Sequence, residues 1–145
     1  MPDPIEHTLT IGEVAGIAGV ATSTLRYYER RGLVVADARQ SGQRRYRPET
    51  LRRLVFVQML QDAGLSLDEI GVVLEAGDNE AWKSIARTRR EALDEEIARL
   101  QHARELLELA LLCRFDHPLD ECHVMNGEID RRLDTAASAD TPTGA

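Results

Sequence analysis

The sequence of 145 residues predicts a mainly α-helical fold: a head of short helices with a two-stranded hairpin, one long helix, and a short C-terminal loop and helix. Three observations lead to this fold class. Capping residues and glycines divide the first half of the chain into short helices. A polar turn between two β-prone stretches interrupts them. From Glu80 to Cys113 there is neither glycine nor proline, as is typical of a single long helix.

The first two helices form a helix-turn-helix pattern. The stretch "TIGEVAGIAGV" begins with Thr10, a good N-cap, and Glu13 three residues later completes a capping box. The stretch "TSTLRYYERRGL" follows closely, with Thr22 as its expected N-cap and Gly32 as its stop. Two short helices joined by a tight turn are typical of domains whose second helix enters the major groove of DNA.

A hairpin and two more helices complete the predicted head. In "VVADARQSGQRRYR" the polar turn at residues 40–42 separates a β-prone start from an arginine-rich return strand, which predicts a two-stranded wing. Pro48 then opens a helix that Gly64 closes, and Ser66 caps a further short helix.

The long helix carries an apolar stripe with a period of seven. Its members are Ala86, Leu93, Ile97, Leu100, Leu107 and Leu111. The 34 residues from Glu80 to Cys113 would extend about 50 Å, too long to pack only against a small head. A second copy of the same helix is the simplest partner, which predicts a homodimer. Arg90 and Arg104 interrupt the stripe, so a solvated helix or packing on its own head stays open.

Charge separates the two halves of the chain. The net charge is -7, yet residues 1–60 hold nine arginines against six acidic residues, whereas residues 61–145 hold nine basic against nineteen acidic residues. A basic excess beside a helix-turn-helix indicates nucleic-acid binding.

The chain has no apolar run long enough to span a membrane and no signal peptide, so we expect a cytoplasmic protein without a membrane partner. An enzyme is not predicted, because no catalytic cluster or glycine-rich phosphate loop accompanies the cysteines.

Two stretches, "TIGEVAGIAGVATSTLRYYERRGLV" and "GQRRYRPETLRRLVFVQMLQDAGLSLDEI", resemble the DNA-binding half of the MerR (mercury-resistance regulator) family of bacterial transcription regulators. The match covers roughly residues 8–76. The resemblance implies a homodimer joined by an antiparallel coiled coil, with paired winged helices on promoter DNA. It also implies that an effector at the C-terminal end makes the dimer bend and untwist the promoter spacer, so that RNA polymerase can use it.

The second helix and the wing supply the candidate DNA contacts. Near the start of the second helix, Ser23, Thr24 and Arg26 are candidates for phosphate or base-edge contacts. Of the adjacent tyrosines, we expect Tyr27 to contact a phosphate and Tyr28 to enter the core.

The return strand of the wing adds three more candidates. Alternation along a strand sends Arg44 and Tyr46 to one face and Arg45 to the other. The resemblance implies that Arg44 and Tyr46 hold backbone phosphates, and we include Arg45 in the predicted DNA-binding set.

The tail "CRFDHPLDECHVM" contains both cysteines of the chain. Metal-sensing branches of the family are similar in having two cysteines after the long helix. Cys113 and Cys122, with His117 and His123, form a candidate ligand set for Zn(II), and the two thiolates alone suit Cu(I). Zinc- and mercury-type sensors also place a cysteine near the start of the long helix, where this sequence has none.

A purely structural loop and a reversible disulfide are the other interpretations of the two cysteines. An iron–sulfur cluster is not expected, because it needs four cysteines.

These observations predict four segments. A winged helix-turn-helix domain spans residues 8–77, a dimerisation helix spans 78–112 with Leu93, Ile97, Leu100, Leu107 and Leu111 at its seam, an effector region spans 113–133, and a disordered tail spans 134–145. The predicted function is that of a transcription regulator that binds a promoter as a homodimer and distorts its spacer in response to an effector, which is a metal ion, thiol oxidation or an unknown small ligand. The alternative is a regulator or interaction module that needs no effector, in which the cysteines are only structural. Activation and repression both stay open.

Overall fold

The computed structural model describes residues 7–139, and over this range the chain is mainly α-helical. The helices are α1 (Ile11–Ala18), α2 (Thr22–Arg30), α3 (Pro48–Asp62), α4 (Leu67–Glu75), α5 (Asn79–Leu111), α6 (Pro118–Glu121) and α7 (His123–Ala139). The strands are β1 (Leu9–Thr10), β2 (Ala38–Gln40) and β3 (Gln43–Tyr46). Among the described residues, no helix combines the length and the apolar character that crossing a bilayer requires.

The helix-turn-helix consists of α1 and α2. The predicted capping box of α1 is present, since the Glu13 amide donates to the Thr10 hydroxyl and the Thr10 amide donates to the Glu13 carboxylate. Helix α2 differs at its start from the prediction. Ala21 rather than Thr22 is its N-cap, because Ala21 keeps an extended backbone while its carbonyl accepts the amide of Leu25 at 3.2 Å. Thr22 is therefore the first helical residue.

The wing belongs to a small antiparallel sheet with the strand order β1-β3-β2. Strands β2 and β3 form the predicted hairpin, and Gln40 opposite Gln43 closes the two-residue turn. Strand β1 is additional to the predicted pair, with Leu9 opposite Tyr46 and Thr10 opposite Arg45. The wing is thus fastened to the segment that leads into α1.

The core of the head lies between α2, β3, α3 and α4. Its fully buried large side chains are Val14, Leu25, Val34, Tyr46, Leu54, Val57 and Ile70. Each short helix contributes one or two of them, which explains how a head with few aromatic residues holds together. Burial of such side chains stabilises the fold by about 1.5–3 kcal/mol each.

The N-terminal compact unit extends to Glu91 and includes the first turns of α5. Ile85 packs against the core of the head. The Arg89 side chain donates from Nε to the Ala63 carbonyl at 2.8 Å, beside the C-terminus of α3. These contacts lie beyond residue 77, where the sequence suggested the end of the DNA-binding domain.

The second compact unit begins at Ala92 and contains the remainder of α5, α6 and α7. Helix α7 continues to Ala139, so residues 134–139 of the predicted disordered tail are helical, and residues 140–145 lie outside the described range. Along α5, Ile97, Leu100 and Leu107 are each more than half exposed, and Leu111 is 84% exposed. In the single chain, the apolar stripe is thus mostly uncovered.

Candidate nucleic-acid interface and cysteine pair

Helix α2 has one face in the core and one face open to solvent. Leu25 and Tyr28 are buried, whereas Ser23 and Arg26 are exposed and Thr24 is half-buried. The buried face fixes the helix on the head, which leaves the predicted contact residues near its N-terminus on the outer side. This is the arrangement that a recognition helix needs in the major groove.

The adjacent tyrosines of α2 point in different directions, as the sequence suggested. Tyr28 is buried, and its hydroxyl donates to the Gln61 side chain. Burial, together with the negative charge of Asp62, raises the pKa of Tyr28. Tyr27 is 42% exposed, and the centroid of its ring lies 5.8 Å from Cζ of the Arg30 guanidinium. Of the two tyrosines, Tyr27 is therefore the one that a phosphate can reach.

Glu29 is the residue that joins α2 to the wing. Its carboxylate accepts from Arg44 Nε at 2.7 Å and from the Tyr46 hydroxyl. The Glu29 side chain is only 14% exposed, so this carboxylate needs both partners. Glu29 is not among the predicted site residues, although its carboxylate lies one helical turn beyond Arg26 in the sequence.

Tyr46 lies in the core rather than on the DNA-facing surface. Its side chain is fully buried, and burial followed by the hydrogen bond to Glu29 raises the pKa of its hydroxyl. The expected phosphate contact of Tyr46 is therefore corrected: the hydroxyl is already bound by Glu29. Arg44 shares that face of β3 and remains partly exposed, so it can extend toward a backbone phosphate.

Arg45 lies on the opposite face of β3 and is held within the sheet region. Its Nε donates to the Thr8 hydroxyl at 3.1 Å, and its Nη2 donates to the Thr8 carbonyl at 3.3 Å. These bonds fasten the segment before β1 to the wing. Arg45 thus has a structural role in the head, and its DNA contact stays a prediction.

The C-terminal unit places its two cysteines beside each other. Cys113 follows α5 and is half-buried, whereas Cys122 is the buried residue immediately before α7. The Cys122 sulfur accepts backbone N–H groups of Met125 and Val124 and a hydrogen bond from the Cys113 thiol. The Met125 bond contributes most to a lowered pKa of Cys122, and burial opposes it. Cys122 precedes α7 with an extended backbone, and its carbonyl accepts the Asn126 amide at 3.0 Å, as expected of an N-cap residue.

The predicted four-ligand metal set is not assembled. His117 and His123 are both exposed, and within residues 7–139 no three His, Cys, Asp or Glu side chains converge where they could hold an ion. His117 precedes α6 and is not among the residues that line the cysteine cavity, whereas His123 begins α7 and borders that cavity. Both cysteines line a cavity of about 350 Å³ whose other walls include Leu109, Leu112 and Phe115.

An exposed recognition helix, a wing with a partly exposed arginine, and nine arginines against three acidic residues over residues 22–53 define a DNA-binding protein of the winged helix-turn-helix class. Comparison with protein families identifies the regulator more closely. The MerR HTH family regulatory protein model matches residues 9–77, and the MerR, DNA binding model matches residues 51–109.

Known proteins agree with this classification. A SoxR homolog, an HTH-type transcriptional activator from Chromobacterium violaceum, is 35% identical over 114 residues, which cover 74% of this chain and 77% of that protein. A mercuric resistance operon regulatory protein from Pseudomonas fluorescens is 34% identical over 127 residues, covering 85% of this chain and 83% of that protein. The crystal structure of HiNmlR, a MerR family regulator lacking the sensor domain, bound to promoter DNA, aligns with a TM-score of 0.58 at 30% identity over 72% of this chain and 84% of that chain.

The chain belongs to the MerR family of DNA-binding transcription regulators. Its relatives regulate transcription and are not enzymes, in agreement with the sequence prediction.

Proposed function

We propose that this regulator binds a promoter as a homodimer and changes the shape of the promoter spacer when an effector acts on its C-terminal unit. The observation that carries the proposal is the outer face of α2 beside Arg44, which Glu29 holds at 2.7 Å. RNA polymerase at the same promoter is the second partner. Such a regulator works where the chromosome is, which agrees with the cytoplasmic location expected from the sequence.

Some of the proposed DNA contacts recognise bases, and the others bind phosphates and position the protein on the DNA. Arg26 is exposed and has the planar fork that can bind the two acceptors of guanine. Ser23 and Thr24 are too short to do more than contact a phosphate or a thymine methyl. Tyr27 and Arg44 extend from the sides of the recognition surface, so we assign them to phosphates.

The exposed stripe of α5 supports the proposed homodimer. A helix of 33 residues is about 50 Å long, and Leu100 and Leu107 remain more than half exposed along it. A second copy of α5, packed antiparallel, would cover this stripe and hold two heads at a fixed separation. Distorting a DNA site costs on the order of 1–6 kcal/mol, so a small change in that separation is enough to alter a promoter.

The cysteine pair is the proposed receiver of the effector signal. The similarity to a mercuric resistance regulator favours a soft metal ion as one candidate. Two neighbouring thiols fit the two-coordinate chemistry of Cu(I), whereas Zn(II) needs four ligands that the described residues do not bring together. Here Cys113 and Cys122 would hold the ion. An effector-independent regulator with structural cysteines is the second candidate, favoured by the burial of Cys122.

The test starts from DNA selected out of a random-sequence pool by the full-length protein. We expect a site with two-fold symmetry bound by two protein chains, as measured by the mass of the complex. Arg44→Ala should weaken all bound sequences alike and lower the slope of log affinity against log salt by about one unit. Arg99→Ala, on the exposed surface of α5, is the matched control and should leave the slope unchanged. A changed sequence preference with an unchanged slope would refute the phosphate assignment of Arg44.

The effector test uses native mass spectrometry of the anaerobic protein with added Cu(I) or Zn(II). One Cu(I) for each cysteine pair, lost in Cys113→Ser, would support metal sensing. An unchanged mass with Cu(I) would remove the metal candidate and leave the DNA-binding proposal intact.

A further inference from the structure

The two cysteine sulfurs are already in contact across the loop that separates α5 from α7. The Cys113 thiol donates a hydrogen bond to the Cys122 sulfur. Both residues line the same cavity, and neither is in a disulfide. This shared cavity places the two thiols on facing sides of the loop between the helices, as a disulfide between them requires.

The two sulfurs have unequal surroundings. Cys122 is 5% exposed and is held by the Val124 and Met125 amides, so a small molecule in solution has little access to it. Cys113 is half-buried, and Arg114 and Phe115 border the same cavity. An external reagent therefore reaches Cys113 first, and the less accessible Cys122 lies in the same cavity.

We propose that Cys113 and Cys122 form a reversible dithiol–disulfide pair that exchanges with low-molecular-weight disulfides. The use of this pair as a signal rests on the proposed function. The disulfide fastens the start of α7 to the end of α5 by a covalent bond.

The exchange proceeds in two balanced steps. The Cys113 sulfur attacks one sulfur of the external disulfide RSSR, the bond between its two sulfurs breaks, and one RSH leaves with the Cys113 proton. The Cys122 sulfur then attacks Cys113 in the mixed disulfide, and the second RSH leaves with the Cys122 proton. The two protein thiols are oxidised to one disulfide, and one RSSR is reduced to two RSH.

The sequence offers a direct chemical test, because Arg114 lies between the cysteines. The full-length protein is incubated anaerobically with oxidised glutathione, quenched in acid, alkylated with iodoacetamide and digested with trypsin. Cleavage after Arg114 separates the cysteines into two peptides that only a disulfide can join. We expect the joined peptides, loss of two hydrogens from the intact mass, and recovery of both thiols with excess reduced glutathione.

Electrophoresis without reductant distinguishes a bond within one chain from a bond between two copies. The joined peptides should come from a band of single-chain mass. A disulfide-linked dimer band, or stable glutathione adducts on Cys113 without the joined peptides, would overturn the proposal. In Cys122→Ser, which keeps an oxygen at the N-cap of α7, the Cys113 adduct should accumulate because no second thiol removes it.

The signalling role is tested separately on the selected DNA site. We expect reduced protein and Cys113→Ser to give the same footprint, and oxidised protein to give a different footprint at the spacer. Identical footprints for reduced and oxidised protein would overturn the signalling role while the promoter-binding proposal stands. Loss of DNA binding by the reduced wild-type protein would instead refute the proposed function itself.

Discussion

Glu29 determines where the wing arginine points. A carboxylate with 14% side-chain exposure beside a DNA-facing surface would be unfavourable alone, because it would repel phosphates and lose hydration. Arg44 neutralises this charge, and the buried Tyr46 hydroxyl occupies the other oxygen. The bond to Glu29 thus directs the Arg44 side chain toward α2.

Replacing Glu29 by Gln separates positioning from charge. Arg44 and the Tyr46 hydroxyl bind different oxygens of Glu29, and an amide replaces one of those oxygens by an NH2 group that cannot accept, so one of the two bonds is lost in its present form. We expect the free energy of unfolding to fall by about 1–3 kcal/mol in urea titrations. The salt slope of DNA binding should stay within error of wild type, because Arg44 keeps its charge. Glu75→Gln, on the exposed end of α4, is the control and should change stability little. A slope reduced as in Arg44→Ala would contradict this role.

Two tyrosine-to-phenylalanine changes test the corrected assignment of Tyr46. Tyr46→Phe removes a buried hydroxyl bonded to Glu29 and should lower the free energy of unfolding by about 1 kcal/mol. Tyr27→Phe removes an exposed hydroxyl and should leave stability within about 0.5 kcal/mol of wild type while weakening DNA binding several-fold. Urea unfolding and DNA titrations on both variants provide the readouts. If Tyr46→Phe instead weakened DNA binding without lowering stability, Tyr46 would be a phosphate contact.

Local periodicity predicted the direction of these side chains but not their partners. Strand alternation correctly placed Arg44 and Tyr46 on one face of β3 and Arg45 on the other. Glu29 is 17 residues from Tyr46 in sequence, and Thr8 is 37 residues from Arg45. Such pairings depend on the packed head, so the residue pattern of the wing could not reveal them.

At the scale of elements, capping residues correctly predicted the starts of α1 and α4, whereas the N-cap of α2 was predicted one residue too late. Ser66 caps α4 as predicted, with its hydroxyl accepting the Glu69 amide at 3.1 Å. The signal acts within one helical turn, which is why sequence alone is sufficient. Strand β1 has only the residues Leu9 and Thr10, too few to show alternation, and it exists because β3 offers it a partner. The sequence therefore could not predict it.

The junction between α3 and α5 depends on a glycine. Gly64 has a φ of +90°, and an added Cβ would lie 2.3 Å from Arg89 Nη2. Gly64→Ala would thus strain the backbone and displace Arg89 from the Ala63 carbonyl. We expect the free energy of unfolding to fall by about 1–3 kcal/mol, measured by urea titration.

Gly77→Ala is the matched control for this junction, since nothing lies within 4 Å of an added Cβ there. It should leave the free energy of unfolding close to the wild-type value. Equal losses in the two alanine variants would show that the Arg89 contact does not restrict position 64.

At the scale of the whole molecule, the sequence predicted the long helix well, because no residue between Glu80 and Cys113 stops it and α5 spans Asn79–Leu111. Its division between two compact units at Glu91 was not predicted, since Ile85 and Arg89 join the head through contacts made only in the folded chain. The exposed stripe beyond that point is the feature that a single chain leaves unexplained.

A matched pair of substitutions tests whether a second chain covers the stripe. Leu100→Glu places a carboxylate on the stripe, and Gln101→Glu places the same group about 100° around the helix. In a symmetric dimer, Leu100 is replaced in both chains. Each lost leucine weakens the dimer by about 1.5–3 kcal/mol of burial free energy. The dissociation constant of Leu100→Glu should therefore rise at least about a hundredfold, measured by sedimentation equilibrium, whereas Gln101→Glu should stay close to wild type. Equal dissociation constants in the two variants would show that the dimer contact does not include Leu100. A monomeric wild-type protein at micromolar concentration would refute the homodimer.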